Sequence, residues 1–419
     1  MLGTTSAALS TESPADRGGS IWDVLAAAPG RIADGSAGPH RVDLVGNLAT
    51  DLDLLGELGL DAHLFSLSWA RIQPSGRGQP DPTGLGFYDR LVDGLLERGV
   101  TPWVSLYQWD LPTELMLTGG WLDRDTADRF GDYAALVAGR LGDRVASWVS
   151  MTDPFSHMAF GHAAGVDAPG LTLLTEAFGV AHHLLLGHAR AVPALRAHGP
   201  VGIVNQHTAV RPEPDEPADR RAALAYEIYH NRQFADPVLR GRYPRAMDEL
   251  VRRAAVIEPD DLQAISAPLD FYGVAWSHPV TVRGAPGNPQ VPFTAATTAL
   301  PHTDGGLPID ADALTRTLRA LRRRYPGMPA VQVIAGGAFH EPPGGADDRR
   351  IDYLDSHLAA AVAGGAAGYF HRSLTDGWEG TEGYTQHFGL VAIGPDGRRR
   401  IRASYRRLRE RAAGRGRVG

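Results

Sequence analysis

Short apolar runs alternate with amphipathic helical stretches along this chain, and no other feature narrows the fold as much. The runs lie at residues 62–67, 101–107, 145–151, 201–204, 271–276, 330–334 and 367–370. Between them, residues 47–58, 86–98, 126–141, 173–197, 313–325 and 353–363 repeat apolar side chains at three- and four-residue steps, the period of a helix buried along one face. Strand followed by helix, repeatedly, is the signature of a parallel sheet, because parallel neighbours need a long crossover. Seven strands and a weak eighth at residues 6–9 predict an α/β fold closed as a single (β/α)8 TIM barrel over residues 1–419. The alternative is a doubly wound open sheet, but no Gly-rich phosphate loop follows an early strand. The Pro- and Gly-rich stretch 282–306 reads as a long loop, and Arg398 to Arg417 as a solvated C-terminal helix.

Composition removes whole classes of chemistry. The chain has no cysteine, and its rows contain no lysine, so all 41 basic residues are arginine. Thiolate nucleophiles, Cys-ligated metals, lysine Schiff bases and the P-loop lysine are therefore excluded. The 48 acidic residues give a formal charge of −7, which argues against nucleic acid or an acidic membrane as partner. No run reaches about 18 uninterrupted apolar residues, and residues 1–20 lack a basic start with an apolar core. A cytoplasmic protein with no cofactor and a small-molecule ligand is expected.

In such a barrel the polar residues just past the C-terminal strand ends carry function. Here those ends read Gln108-Trp109-Asp110, Thr152-Asp153-Pro154, Asn205-Gln206-His207, Ser277-His278, Ile334-Ala335-Gly336-Gly337 and His371-Arg372. Asp153 is either a strand-end hydrogen-bond acceptor or a proton donor. His207, His278, His340 and His371 are either packing residues or acid/base groups that meet at one mouth. Spacing of the His-Glu-x-x-His kind is absent, so no metal site is expected.

Several motifs, in order, resemble the retaining β-glucosidases of glycoside hydrolase family 1. They include Ser20-Ile21-Trp22-Asp23, Phe65-Ser66-Leu67-Ser68-Trp69, Gly119-Gly120-Trp121-Leu122, Gly241-Arg242-Tyr243-Pro244, Arg350-Ile351-Asp352-Tyr353 and Phe388-Gly389-Leu390. The resemblance implies one (β/α)8 barrel. It also implies two carboxyl groups about 5 to 5.5 Å apart, an acid/base and a nucleophile. The acid/base of the Asn-Glu-Pro motif matches Asp153, between Thr152 and Pro154. The nucleophile of the Thr-Glu-Asn-Gly motif matches Ala335, so that carboxylate is missing.

The sugar subsite implied by the resemblance is altered as well. Its arginine beside the nucleophile matches Leu64. Its Gln, His and Tyr match Ser10, Gln108 and Ser277, while Trp109 and Glu379 are kept, with Trp378 beside the latter. The Trp under the sugar ring matches Arg372, and the Trp after the sugar-binding Glu matches Gly380. Arg372 either pairs with Asp376 or Glu379, or receives an anionic ligand.

Three functions remain open. The first is a repurposed enzyme acting on a glycoside or specialised metabolite, with Asp153 or a histidine moving a proton. The second is an inactive sugar- or glycoside-binding relative, a pseudoglycosidase. The third is weak residual β-glycosidase activity, with Glu341 or Glu379 recruited as the second carboxylate.

Overall fold

The computed structural model describes residues 1–285, 292–341 and 346–415. Eight parallel strands close into a barrel: β1 (Leu2–Ser6), β2 (Ala62–Ser66), β3 (Thr101–Ser105), β4 (Ser147–Thr152), β5 (Val201–His207), β6 (Phe271–Trp276), β7 (Ala330–Ala335) and β8 (Gly368–Arg372). Each pairs with its sequence neighbours, and β1 closes the ring against β8. This is the (β/α)8 fold that the alternation predicts.

The first strand lies earlier than expected, at Leu2–Ser6 rather than 6–9, where the chain instead turns into the short helix Ala8–Thr11. Gly3 explains the position. A Cβ there would sit 2.6 Å from both the Ala62 carbonyl and the Phe370 ring, so only glycine lets β1 close the barrel at that level. The stretch 282–306 is likewise more ordered than a loop. Val280–Gly284 and Phe293–Ala295 form an antiparallel pair, joined to Val210–Pro212 in a small three-stranded sheet, and residues 286–291 lie outside the described residues.

Alternation along the strands separates two apolar layers. Ala62, Leu64, Trp103, Val149, Val204, Phe271, Ile334 and Phe370 fill the barrel interior. Trp103 is the centre of that plug, with ring centroids 4.9 Å from Phe271 and 5.3 Å from Phe370. The barrel is therefore packed below its mouth, and only its C-terminal rim is free to bind. The opposite strand faces pack on the surrounding helices, among them Pro82–Glu97, Asp125–Leu141 and Ala177–Arg196. Local signals set the helix ends. Asp81 accepts from the backbone N–H of Thr83 and Gly84 just before Pro82, and Gly59 ends Leu48–Leu58 in a left-handed conformation.

The C-terminal arginines are less solvated than expected. Ala403–Arg415 is a helix, but just before it Arg402 makes a two-pronged buried pair with Asp376, and Arg399 pairs with Asp51. The terminal segment is thereby tied to the rim loop after β8. No helix among the described residues is long and apolar enough to cross a membrane.

Candidate active site

A cavity opens at the C-terminal rim of the barrel. Ser6 and Ser10 reach it from β1 and the turn after it, Leu64 and Ser66 from β2, and Ser105 and Gln108 from β3 and its loop. Thr152, Asp153, Gln206 and Ser277 line the next sector, and Ile334, Ala335, Gly336, Arg372 and Glu379 complete it. Among the described residues, Asp153 and Glu379 are the carboxylates that line it.

Asp153 is set by its backbone. A register shift between β4 and β5 after Val149 re-aims the strand end, and Asp153 itself has φ 54° and ψ 58°. A left-handed conformation in a non-glycine residue costs roughly 1–3 kcal/mol and needs surrounding support. The support is local. Asp153 caps the following turn, accepting from the Ser156 N–H at 3.1 Å and the Ser156 hydroxyl at 2.7 Å, while Gln206 Nε2 lies 3.5 Å from Oδ2. The hydrogen-bond acceptor at the strand end is thus present, and its carboxyl also lines the cavity. Burial raises its pKa above the ordinary carboxylate value, and the Ser156 donors and Arg372 only partly offset that.

At the seventh strand end Ile334, Ala335 and Gly336 all border the cavity. Ile334 belongs to the interior layer, paired with Phe370 on β8, whereas Ala335 packs its methyl in the outer layer beside the helices. Ala335 borders the cavity, but the side chain aimed into the barrel is Ile334. Strand parity, counted from the interior Phe370, was the signal available in the sequence.

Arg372 is not free to receive an anion. Its guanidinium pairs with Glu379 and lies 4.2 Å over the Phe388 ring, so the expectation of an anionic ligand at Arg372 is withdrawn. Glu341 is no recruited carboxylate either, since it pairs with Arg350, Arg400 and Arg402 away from the cavity.

The histidines also fail to meet there. His207 and His371 point from their strands into the outer layer, wholly buried; His207 Nε2 bonds the Tyr272 hydroxyl, and neither nitrogen of His371 has a partner among the described residues. Burial pushes both down to about 3. His278 bonds Ser277 and is pushed down to about 4, and His340 is exposed, edge-on to His387. Alternation explains the pair on strands: Gln206 and Arg372 take the inward positions, which leaves His207 and His371 outside. Trp109 and Trp378 lie behind the wall, both edge-on to Trp22, with their indole N–H groups held by Ala168 and Ser36. Ser105 and Trp276 line the cavity without having been singled out in the sequence, and Gln206, quoted there only as part of a strand end, and Ser66 line it too.

Known proteins resemble this chain over nearly its whole length. The profile of glycosyl hydrolase family 1 matches residues 1–415. β-Glucosidase A of Thermotoga maritima is 34% identical over 400 residues, which cover 92% of this chain and 89% of that protein. A β-glucosidase of an Agrobacterium species is 38% identical over 392 residues, covering 89% and 85%. Among solved structures, the family 1 β-glucosidase from Thermotoga maritima superposes with a TM-score of 0.93 at 32% identity, covering 99% of this chain and 96% of that one. The virulence factor SghA from Agrobacterium tumefaciens gives 0.95 at 34% identity, covering 99% and 96%.

Proposed function

The chain belongs to glycosyl hydrolase family 1, and on that premise we propose that it is a repurposed small-molecule enzyme, in which Asp153 supplies a proton and no covalent glycosyl–enzyme bond forms. One observation carries the proposal. The carboxyl of Asp153 faces the cavity with its pKa raised by burial, while Ile334 and Ala335, which border the cavity at the seventh strand end, carry only hydrocarbon. A carboxyl that keeps its proton toward neutral pH is suited to a general acid. A retaining mechanism needs a second carboxylate facing the first. In this reading Ala335, which borders the cavity, stands at the position of the missing nucleophile. The companion arginine is absent at Leu64, and Glu379 is held by Arg372.

The ligand we propose is a glycoside or related metabolite, uncharged where it meets Arg372. Ser6, Ser10, Ser66, Ser105, Thr152 and Ser277 offer short hydroxyls to such a molecule. The solved relatives hold small sugar mimics, with isofagomine lactam and deoxynojirimycin bound to the Thermotoga maritima enzyme.

The test is a metabolite screen by mass spectrometry, followed by kinetics on whatever is converted. Asp153→Asn should lower turnover by about a hundredfold or more, with ligand affinity nearly kept. An Asn variant that turns over as fast as the wild type removes Asp153 from the mechanism. A second reading, a glycoside-binding pseudoenzyme, draws on the cap that Asp153 already forms with Ser156. Tight binding of a metabolite that is never transformed would favour it.

A further inference from the structure

Behind Asp153 runs a chain of side chains that no role yet accounts for. Gln206 bridges the cavity wall to His230: its Oε1 lies 2.8 Å from His230 Nε2 and its Nε2 lies 3.5 Å from Asp153 Oδ2. On the far side, His230 Nδ1 lies 3.0 Å from Asn231 Oδ1. His230 is buried, tilted against the Phe155 ring at 4.0 Å and stacked on Tyr226 at 5.6 Å.

The orientation of Asn231 is fixed by the main chain. Its Oδ1 accepts from the Thr208 N–H at 3.0 Å and its Nδ2 donates to the Thr208 carbonyl at 2.9 Å. His230 Nδ1 must therefore carry a hydrogen, because it faces an oxygen that only accepts. The oxygen and nitrogen of the Gln206 amide have nearly the same shape, so its orientation is decided by what its two neighbours offer.

Two arrangements satisfy every contact. In one, His230 is neutral, Nε2 accepts from the Gln206 amide N–H, and the Gln206 oxygen turns to Asp153, which must then be the protonated donor. In the other, His230 is doubly protonated, Nε2 donates to the Gln206 oxygen, and the amide N–H faces an ionised Asp153. Each holds one proton. With none, a carboxylate and a neutral imidazole compete for one NH2 group; with two, a carboxylic acid and an imidazolium compete for one oxygen.

We propose that Gln206 couples Asp153 to His230 so that the pair retains a single proton, which makes His230 and Gln206 positioning residues for the acid of the cavity. This deepens the assignment of Asp153 as a general acid and rests on it. Desolvation of His230 favours the first arrangement, with the proton held on Asp153. The groups facing the pair agree with that. Arg372 acts on Asp153 from β8; His278 and His207 disfavour charge on His230, and Glu227 is bonded to Asn231 on the outer side. Proton exchange goes through the cavity, since an amide passes no proton at this cost.

The coupling can be measured without a substrate. In protein labelled with 13C at aspartate carboxyls, the Asp153 signal is assigned by its loss in Asp153→Asn and titrated against pH. His230→Phe keeps the ring in its stack but removes Nε2, freeing the Gln206 N–H for Asp153, and the acid dissociation constant should rise about tenfold. In a Gln206→Met background the same His230→Phe change should do nothing. A purely packing role for His230 would move Asp153 equally in both backgrounds. If the His230 variant does not fold, Gln206→Met alone still reports, because cutting the link must change the Asp153 midpoint. A raised wild-type midpoint indifferent to both variants overturns the coupling and leaves the acid assignment standing. A wild-type midpoint at the ordinary carboxylate value, about 3.9, overturns both.

Discussion

On acidification the protein is expected to unfold near pH 5.5, well above the range in which carboxylates lose their charge. Eight histidines are all but fully buried, among them the six His63, His162, His188, His207, His357 and His371. Burial pushes His63, His207 and His371 down to about 3, and His162, His188 and His357 to about 4. The unfolded chain binds a proton at each near pH 6.5 and the folded chain does not, so stability rises with pH throughout the window between 6.5 and those folded values. Above 6.5 the contribution is intact. One unit below it, each histidine favours the unfolded state by about 1.4 kcal/mol, and six together by about 8 kcal/mol, comparable with the whole stability of a folded protein, about 5–15 kcal/mol. Melting temperature measured from pH 8 to 4.5 should be level at first, then fall steeply below about 6.5. His371 is the most informative single site, because neither ring nitrogen is bonded. His371→Leu should move the acid midpoint to lower pH. A melting temperature unchanged down to pH 5 would show that these rings protonate inside the fold.

The fold was legible in the sequence because a parallel barrel writes itself twice, as apolar runs buried on both faces and as helical periods between them. What alternation alone did not place was the start of the ring: Leu2–Ser6 is short, half of it polar, and made possible by Gly3 beneath the Phe370 ring. The location of the site was legible too, since strand ends carry it whatever the chemistry. Which residues face inward was harder. His207 and Gln206 are neighbours, as are Ala335 and Ile334, and choosing between them needs the parity of the strand, which a bulge such as the one after Val149 can reverse. The sequence offers the pairing of Arg372 with Glu379 as one of two alternatives, but six residues of irregular loop lie between them and spacing does not fix their contact.

On the proposed reading, the absence of a second carboxylate lowers glycosidase turnover by at least about a millionfold, the lower range of enzymatic acceleration. Purified protein should release nitrophenol from aryl β-glucosides and β-galactosides at background, since nothing at the seventh strand end can form the covalent intermediate. Returning the carboxyl by itself should not help. Ala335→Glu would set it on the cavity wall beside Ile334 and Leu64, with no cation to hold it ionised, hence a poor nucleophile. Leu64 sits on β2, with its side chain in the interior layer and on the cavity wall, so Leu64→Arg supplies the missing cation there. The Ala335→Glu/Leu64→Arg double variant should therefore exceed Ala335→Glu in nitrophenol release, and adding Asp153→Asn should remove the gain. It should stay far below an ordinary β-glucosidase, because Ser10, Gln108 and Ser277 still line the cavity where the family's sugar-binding residues would be, and Arg372 still occupies Glu379. Strong release by the unmodified protein, lost in Glu379→Gln, would instead mean that Glu379 leaves Arg372 and serves as the nucleophile, and the non-covalent reading of this cavity would fall.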